Sequence, residues 1–319
     1  MGQMIERLFA VSPERTSMDR LGFSGDRALT ERLETLSRTF LAGYHAALAE
    51  DGGNEELASR LDRAAGERWL RGFAFEGAGF GLALRDALTP WRRPGRLGRF
   101  IAGPGSAYVH LVHVGAGWAM ARARVPWRWI RRRLDPRLEW LAIDGYGFHE
   151  GFFRYQEVVV RGRRPRRVSG YGRRAFDQGL GRCLWFGEVA DAERIARRIG
   201  ALAPARSNDL WSGVGLAATY AGGVGADTLE RLVELAGHHR RALAQGATFA
   251  ATARRLDASL AAEHDLACTI LCGLAAVEAA ALTDRVYEAL PAAGTADEPL
   301  FELWRRGIQH ALSTVPSAA

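Results

Sequence analysis

The chain has 319 residues, 48% of them apolar and 25% charged, with a formal net charge of +7. That balance suits a protein with a sizeable core and excludes intrinsic disorder. Three cysteines are too few for a disulfide framework, and no run of ~18 uninterrupted apolar residues offers a membrane span.

The basic side is entirely arginine, because the sequence contains no lysine. The runs RWIRRR (128–133) and RGRRPRR (161–167) have the charge to touch phosphates or anionic lipid. Acidic residues are interspersed along the chain and no nucleic-acid motif accompanies these runs. They read as a solvated arginine face, with no nucleic-acid partner and with membrane-surface contact as the lesser alternative. The first residues, MGQMIERLFAVSPERTSM, hold no apolar core of signal-peptide length, which points to the cytoplasm.

In chain order, 1–26 reads as an N-terminal arm. Residues 27–70 then form two amphipathic helices, with Leu29, Leu33, Leu36 and Phe40 at helical spacing and DGGN (51–54) as the turn between them. TPWRRPGR (89–96) is a loop. The run YQEVVVRG (155–162) is the best β-branched stretch and predicts at most a short β-hairpin near 155–168. Helical patterns cover 227–246, 247–263, 266–288 and 297–313, and 314–319 is a flexible tail. No βαβ alternation and no nucleotide-binding glycine loop appears. The expected fold is all-α, a single helical domain over 27–313.

That domain contains a degenerate internal repeat. FEGAGFGLAL (75–84), HEGFFRYQ (149–156) and WSGVGLAATYAGG (211–223) form one kind of segment. HVGAGWAMARARV (113–125), DQGLGRCLWFGEV (177–189) and AQGATFAATARRL (244–256) form a second kind, alternating with the first. Paired, they predict Gly/Ala-rich helical hairpins near 72–125, 144–189 and 208–256. Each helix-interior glycine costs about 1 kcal/mol relative to alanine, so close packing or a ligand must offset it. Three such hairpins could converge on a seam or cavity. Glu76, Glu150 and Ser212 precede the glycine in one kind of segment. Gln178 and Gln245 do so in the other, with Val114 in its first copy.

The polar residues beside these glycines are the candidates for chemistry. In IDGYGFHEGFF (143–153), His149 is the natural acid or base, flanked by Glu150, Tyr146 and Asp144. In GYGRRAFDQGLGRCLWF (170–186), helical spacing puts Arg173, Asp177 and Gln178 on one side. An Arg173–Asp177 pair would orient a ligand, or would be an ordinary intrahelical ion pair. Phe148, Phe152, Trp185, Trp211 and Tyr220 could line an apolar pocket with Ser212. Ser212 is not in a nucleophile elbow, since Leu210 and Val214 stand where glycines are required. Cys268 and Cys272, near His264 and Asp265, read as buried small residues. No metal and no cofactor is expected.

The four blocks IDGYGFHEGFF, GYGRRAFDQGLGRCLWF, NDLWSGVGLAATYAGG and LAQGATFAATARR, in that order, resemble the signature blocks of the DUF1702 family, associated with UnbL-type proteins of enediyne gene clusters. The resemblance implies a role beside an iterative polyketide synthase whose linear conjugated polyene becomes an enediyne core. It implies no established reaction and no catalytic residues. Two readings follow. In one, an enzyme acts on the polyene by metal-independent acid/base or cyclisation chemistry, with His149 as acid/base oriented by Glu150, Asp177 or Arg173. In the other, a non-catalytic protein binds the hydrophobic polyene or docks on the synthase or another cluster protein.

Overall fold

The computed structural model describes residues 8–49, 52–89 and 95–314. Every regular element among them is helical. The main helices are α1 (Arg27–Ala49), α2 (Asn54–Ala65), α3 (Arg71–Leu88), α4 (Arg96–Ala102), α5 (Val109–Arg122), α6 (Trp127–Arg131), α7 (Trp140–Phe153) and α8 (Gly172–Gly187). They continue with α9 (Ala192–Gly200), α10 (Ser207–Ala221), α11 (Ala226–Ala236), α12 (Arg240–Leu256), α13 (Ala262–Cys272), α14 (Ala276–Glu288) and α15 (Leu300–Leu312). Most of the loop expected at 89–96 and most of the tail lie outside the described residues.

Three local expectations are corrected. The β-branched run near 155–168 forms no hairpin: Gln156–Val160 is a π-helical turn, closed by Arg161 N–H donating to the Gln156 carbonyl at 3.0 Å. With no neighbouring strand to pair with, the backbone satisfies itself locally, and Val158 and Val159 are buried. The helix expected over 266–288 is two helices bent by 64°. Gly273 adopts φ +72°, the left-handed conformation that ends helices, and Asp265 accepts from the Ala276 N–H at 2.8 Å to hold the corner. The patterns expected at 227–246 and 247–263 fall instead as α11 and α12, with the break at a 3₁₀ turn, Gly237–His239, rather than between 246 and 247.

The residues group into two compact units. One compact unit comprises residues 1–22 and 31–146, the other 23–30 and 147–319.

In the first unit, α1, α3, α5 and the first half of α7 pack along glycines. A methyl group on Gly43 would overlap the Ala74 carbonyl, and one on Gly77 the Phe40 carbonyl. Gly79 and Val112, Gly115 and Glu76, Gly117 and Ala142, and Gly145 and Val114 repeat the relation. In each pair the contact moves up one helix as it moves down the other, so neighbours run antiparallel. The glycine Cα–H groups face carbonyl oxygens, the arrangement of weak Cα–H···O bonds at helix interfaces. Every residue of α3 from Gly72 to Asp86 is buried as a result. Asp86 reaches out of α3 to accept from the Arg96 and Leu97 N–H groups, both at 3.1 Å, at the start of α4.

His113 of α5 is fully buried. Its Nε2 accepts from the Asp135 N–H at 3.0 Å, so Nδ1 carries the proton and donates to the Val109 carbonyl at 2.7 Å. Burial depresses its pKa to about 4, against smaller opposing effects of the Val109 carbonyl and Asp135. The folded state therefore favours neutral imidazole. Its contribution is complete above the unfolded pKa of about 6.5 and is lost as pH falls from there to about 4, a loss of about 3 kcal/mol. Chemical denaturation at pH 7 and pH 4 should show this loss, and His113→Asn should reduce the difference between the two pH values.

In the second unit the packing recurs. Gly147 lies against the Phe176 carbonyl, Gly181 against Leu210, Gly213 against Gln178, Gly215 against Leu243, and Gly246 against Ser212. This joins the end of α7 with α8, α10 and α12. The repeat is thus one helix long, not one hairpin long: α3, α5, α7 and α10 carry G-x-G, the first glycine facing the preceding seam helix and the second the following one, and in α8 Gly181 faces α10. In α1 the first position is Leu41, and in α12 the second is Thr248. The register expected in α7 is also corrected. Its seam glycines are Gly145 and Gly147, so Asp144, not Glu150, is the equivalent of Glu76. Gly151 instead packs on the Leu180 and Cys183 side chains.

Candidate functional site

Glu76, Asp144 and Tyr146 belong to the first unit; the other candidate residues belong to the second. Glu76 is buried on α3, and Tyr146 is fully buried on α7.

Asp177 does not pair with Arg173. Its carboxylate takes Nη2 of Arg206 at 2.7 Å and Nε at 3.2 Å, together with Nε of Arg164 at 3.0 Å. Arg206 also donates to the Gly162 carbonyl at 3.0 Å, which pins the arginine-rich loop to the helix. Arg173 turns away and donates to the Val168 carbonyl at 3.4 Å. The four-residue spacing of Arg173 and Asp177 permitted their contact, but two arginines from loop and turn residues supply it instead.

Glu150 pairs with Arg154 Nη1 at 2.7 Å, and Nδ1 of His149 lies 3.6 Å from its Oε1. Burial alone would raise the Glu150 pKa, but His149 and Arg154 outweigh it and hold the carboxyl below its ordinary value. The same helix also contributes to an aromatic cluster. Phe148 and Phe152 stack at 5.6 Å, Phe186 meets Phe148 edge-on at 5.2 Å, and Phe23 meets Phe152 at 5.6 Å. The Arg182 guanidinium lies 5.2 Å over Phe148. Trp185 and Trp211 are buried on α8 and α10. Tyr220 carries Arg254 over its ring at 3.9 Å.

Next to this cluster, Glu188 accepts from Tyr155 Oη, from Arg194 Nε at 2.7 Å and from Arg198 Nε at 2.6 Å. Burial would raise the Glu188 carboxyl, yet these donors hold it low. Val189 and Ala190, at φ +49° and +58°, turn the chain sharply after it.

Ser212 and Gln245 lead into a larger polar network. Ser212 Oγ donates to Gln245 Oε1 at 2.8 Å, which also accepts from Arg305 Nε at 3.3 Å. Arg305 is fully buried and pairs with Asp209 at 2.8 Å and Glu302 at 3.4 Å. Arg174 grips Asp209 through two bonds of 3.1 Å and reaches Glu302 at 2.6 Å, while Tyr171 Oη donates to Glu302 at 3.0 Å. Burial would lower the Arg305 pKa, but Asp209, Tyr171 and Glu302 raise it. Burial also raises the Tyr171 phenol. Glu302, Arg305 and Tyr171 escaped the sequence reading because their partners lie far along the chain. The available signal was a pair of charges three apart inside the apolar stripe Phe301, Trp304, Ile308 of α15. Gln178 is buried at the seam, level with Gly213.

No group of three His, Cys, Asp or Glu among the described residues could hold a metal. Cys268 is buried on α13, and Cys272 Sγ donates to its carbonyl at 3.0 Å. No single helix among the described residues is long and apolar enough to cross a membrane.

Fold and site define an all-α protein of glycine-seamed antiparallel helices with charge-compensated arginine–carboxylate networks inside its second unit. The chain belongs to the DUF1702 family, described as "Protein of unknown function (DUF1702)", which matches residues 1–312. No curated protein and no solved structure matches it.

Proposed function

We propose that this chain is a binding protein of enediyne biosynthesis, of the UnbL type and cytoplasmic, which holds a linear conjugated polyene without transforming it. The observation that carries the non-catalytic reading is the pairing of the interior carboxylates. Asp177 is held by Arg164 and Arg206, Asp209 and Glu302 by Arg174 and Arg305, and Glu150 by Arg154. A general acid or base must lie within hydrogen-bond reach of the ligand's proton, and these carboxylate oxygens are already engaged by guanidinium donors. The aromatic cluster of Phe148, Phe152, Phe186 and Phe23 supplies flat apolar faces suited to a conjugated chain. The biosynthetic setting rests on the resemblance of the four sequence blocks, and contact with a polyketide synthase would deliver the ligand.

A second reading, an enzyme using His149, is favoured by one observation: the His149 side chain is partly exposed beside Glu150. Absorbance titration with a linear conjugated polyene separates the two. A shifted, persistent spectrum supports binding. Progressive bleaching abolished by His149→Ala supports the enzyme. An unaltered spectrum overturns both.

A further inference from the structure

The Ser212–Gln245–Arg305 junction leaves one neutral donor in excess, since Arg305 Nη2 has Asp209 as its ion-pair partner at 2.8 Å. Arginine carries only donors, so Arg305 Nε fixes the Gln245 amide with Oε1 towards it. Ser212 Oγ donates to the same oxygen. The amide nitrogen of Gln245 is thereby turned away, and among the described residues it has no hydrogen-bond partner, although Gln245 is 0% exposed. Leaving a buried donor unsatisfied is unfavourable.

The rest of the network decides what fits that donor. Asp209 Oδ1 takes Arg174 and Arg305, and its Oδ2 takes Arg174. Glu302 Oε1 takes Arg174, and its Oε2 takes Tyr171 and Arg305. Each carboxylate oxygen already accepts from at least one donor, and two arginines balance two carboxylates. A carboxylate ligand would meet no net positive charge. A hydroxyl or amide would bring a donor of its own, which would compete for oxygens that already accept from Arg174, Arg305 or Tyr171. A carbonyl oxygen accepts and brings no donor.

We infer that Gln245 Nε2 receives the carbonyl oxygen of a ketone or thioester carried by the bound polyene. This rests on the polyene-binding reading and adds the chemical class of the ligand's polar end. Ser212 and Arg305 are then positioning residues, holding the amide in the orientation that aims its nitrogen at the ligand.

The test is an absorbance titration of the full chain with three all-trans linear tetraenes, differing only in a terminal methyl ketone, secondary alcohol or hydrocarbon end. The ketone is expected to bind at least about tenfold more tightly than the other two, because only it satisfies the donor without adding another. Its absorption band should also move to longer wavelength on accepting the hydrogen bond. Gln245→Glu keeps an oxygen for Ser212 and Arg305 but removes the donor, and should erase the preference while hydrocarbon binding persists. Ser212→Ala, which leaves Arg305 Nε to hold the amide oxygen, should weaken the preference without erasing it. Equal binding of all three tetraenes by the unaltered protein overturns the inference and leaves polyene binding standing; that comparison needs no variant. Binding of none overturns the polyene reading and this inference with it.

Discussion

Gly213→Ala is expected to destabilise the second unit by about 2 kcal/mol or more, whereas Gly200→Ala leaves it unchanged or slightly more stable. Both glycines lie in helices, and the backbone of neither is left-handed. By helix propensity alone each substitution should gain up to about 1 kcal/mol. The difference is the neighbour. A methyl on Gly213 would overlap the Gln178 carbonyl oxygen and stand 2.7 Å from the Arg182 backbone nitrogen. Neither atom can rotate aside, because both belong to the α8 backbone. The helices must separate, and the loss spreads along α8 and α10, both almost wholly buried. Overpacking of this kind costs about 1–3 kcal/mol or more, and a clash with backbone belongs at the upper end. A methyl on Gly200 meets nothing within 4 Å. Urea midpoints of the two variants decide the matter. Similar midpoints would mean that the seam is slack and that its glycines reflect composition alone.

The seam was legible because its chemistry is local. G-x-G within a helix leaves the backbone bare on two sides, and no other interaction in the sequence accounts for glycines spaced that way. What the sequence hid was register. HEGFF copies the pattern of FEGAG by eye, but Gly151 meets side chains, and the backbone contacts fall six and four residues earlier, at Gly145 and Gly147. Only the facing helix distinguishes the two. The same limit applies to the charges. Arg173 stands one helical turn from Asp177, yet Arg206 and Arg164 take the carboxylate. A buried acid selects the arginine that can approach without leaving another group unpaired, and that depends on where the loop at 161–167 and the turn before α10 are placed. The π-turn at 156–160 and the break at Gly273 follow from the same cause: β-branched and Ala-rich runs state a preference, and neighbouring elements decide it.

Asp177→Ala is expected to destabilise the second unit by about 3–5 kcal/mol, the cost of stranding one member of a buried ion pair. Arg206 has a 5% exposed side chain and cannot turn to water, whereas Arg164, at 28%, can. Arg206→Met alone is expected to cost less, since Arg164 still serves Asp177. The double variant Asp177→Leu/Arg206→Met removes both charges and fills the space with apolar groups. It should recover much of the stability lost in Asp177→Ala, because a buried pair replaced by packed apolar side chains is often neutral. The coupling energy from the full cycle, with Asp177→Leu as the matching single variant, should reach about 2 kcal/mol. The cycle also bears on function. If Asp177 only ties α8 to the loop and to Arg206, the stabilised double variant binds a polyene as the unaltered protein does. If Asp177 orients a reacting group, the double variant folds but loses turnover, and the enzyme reading regains its ground. Stability restored together with polyene binding assigns Asp177 to the fold, and an acid/base role for His149 then depends on Glu150, whose Oε1 lies 3.6 Å from its Nδ1.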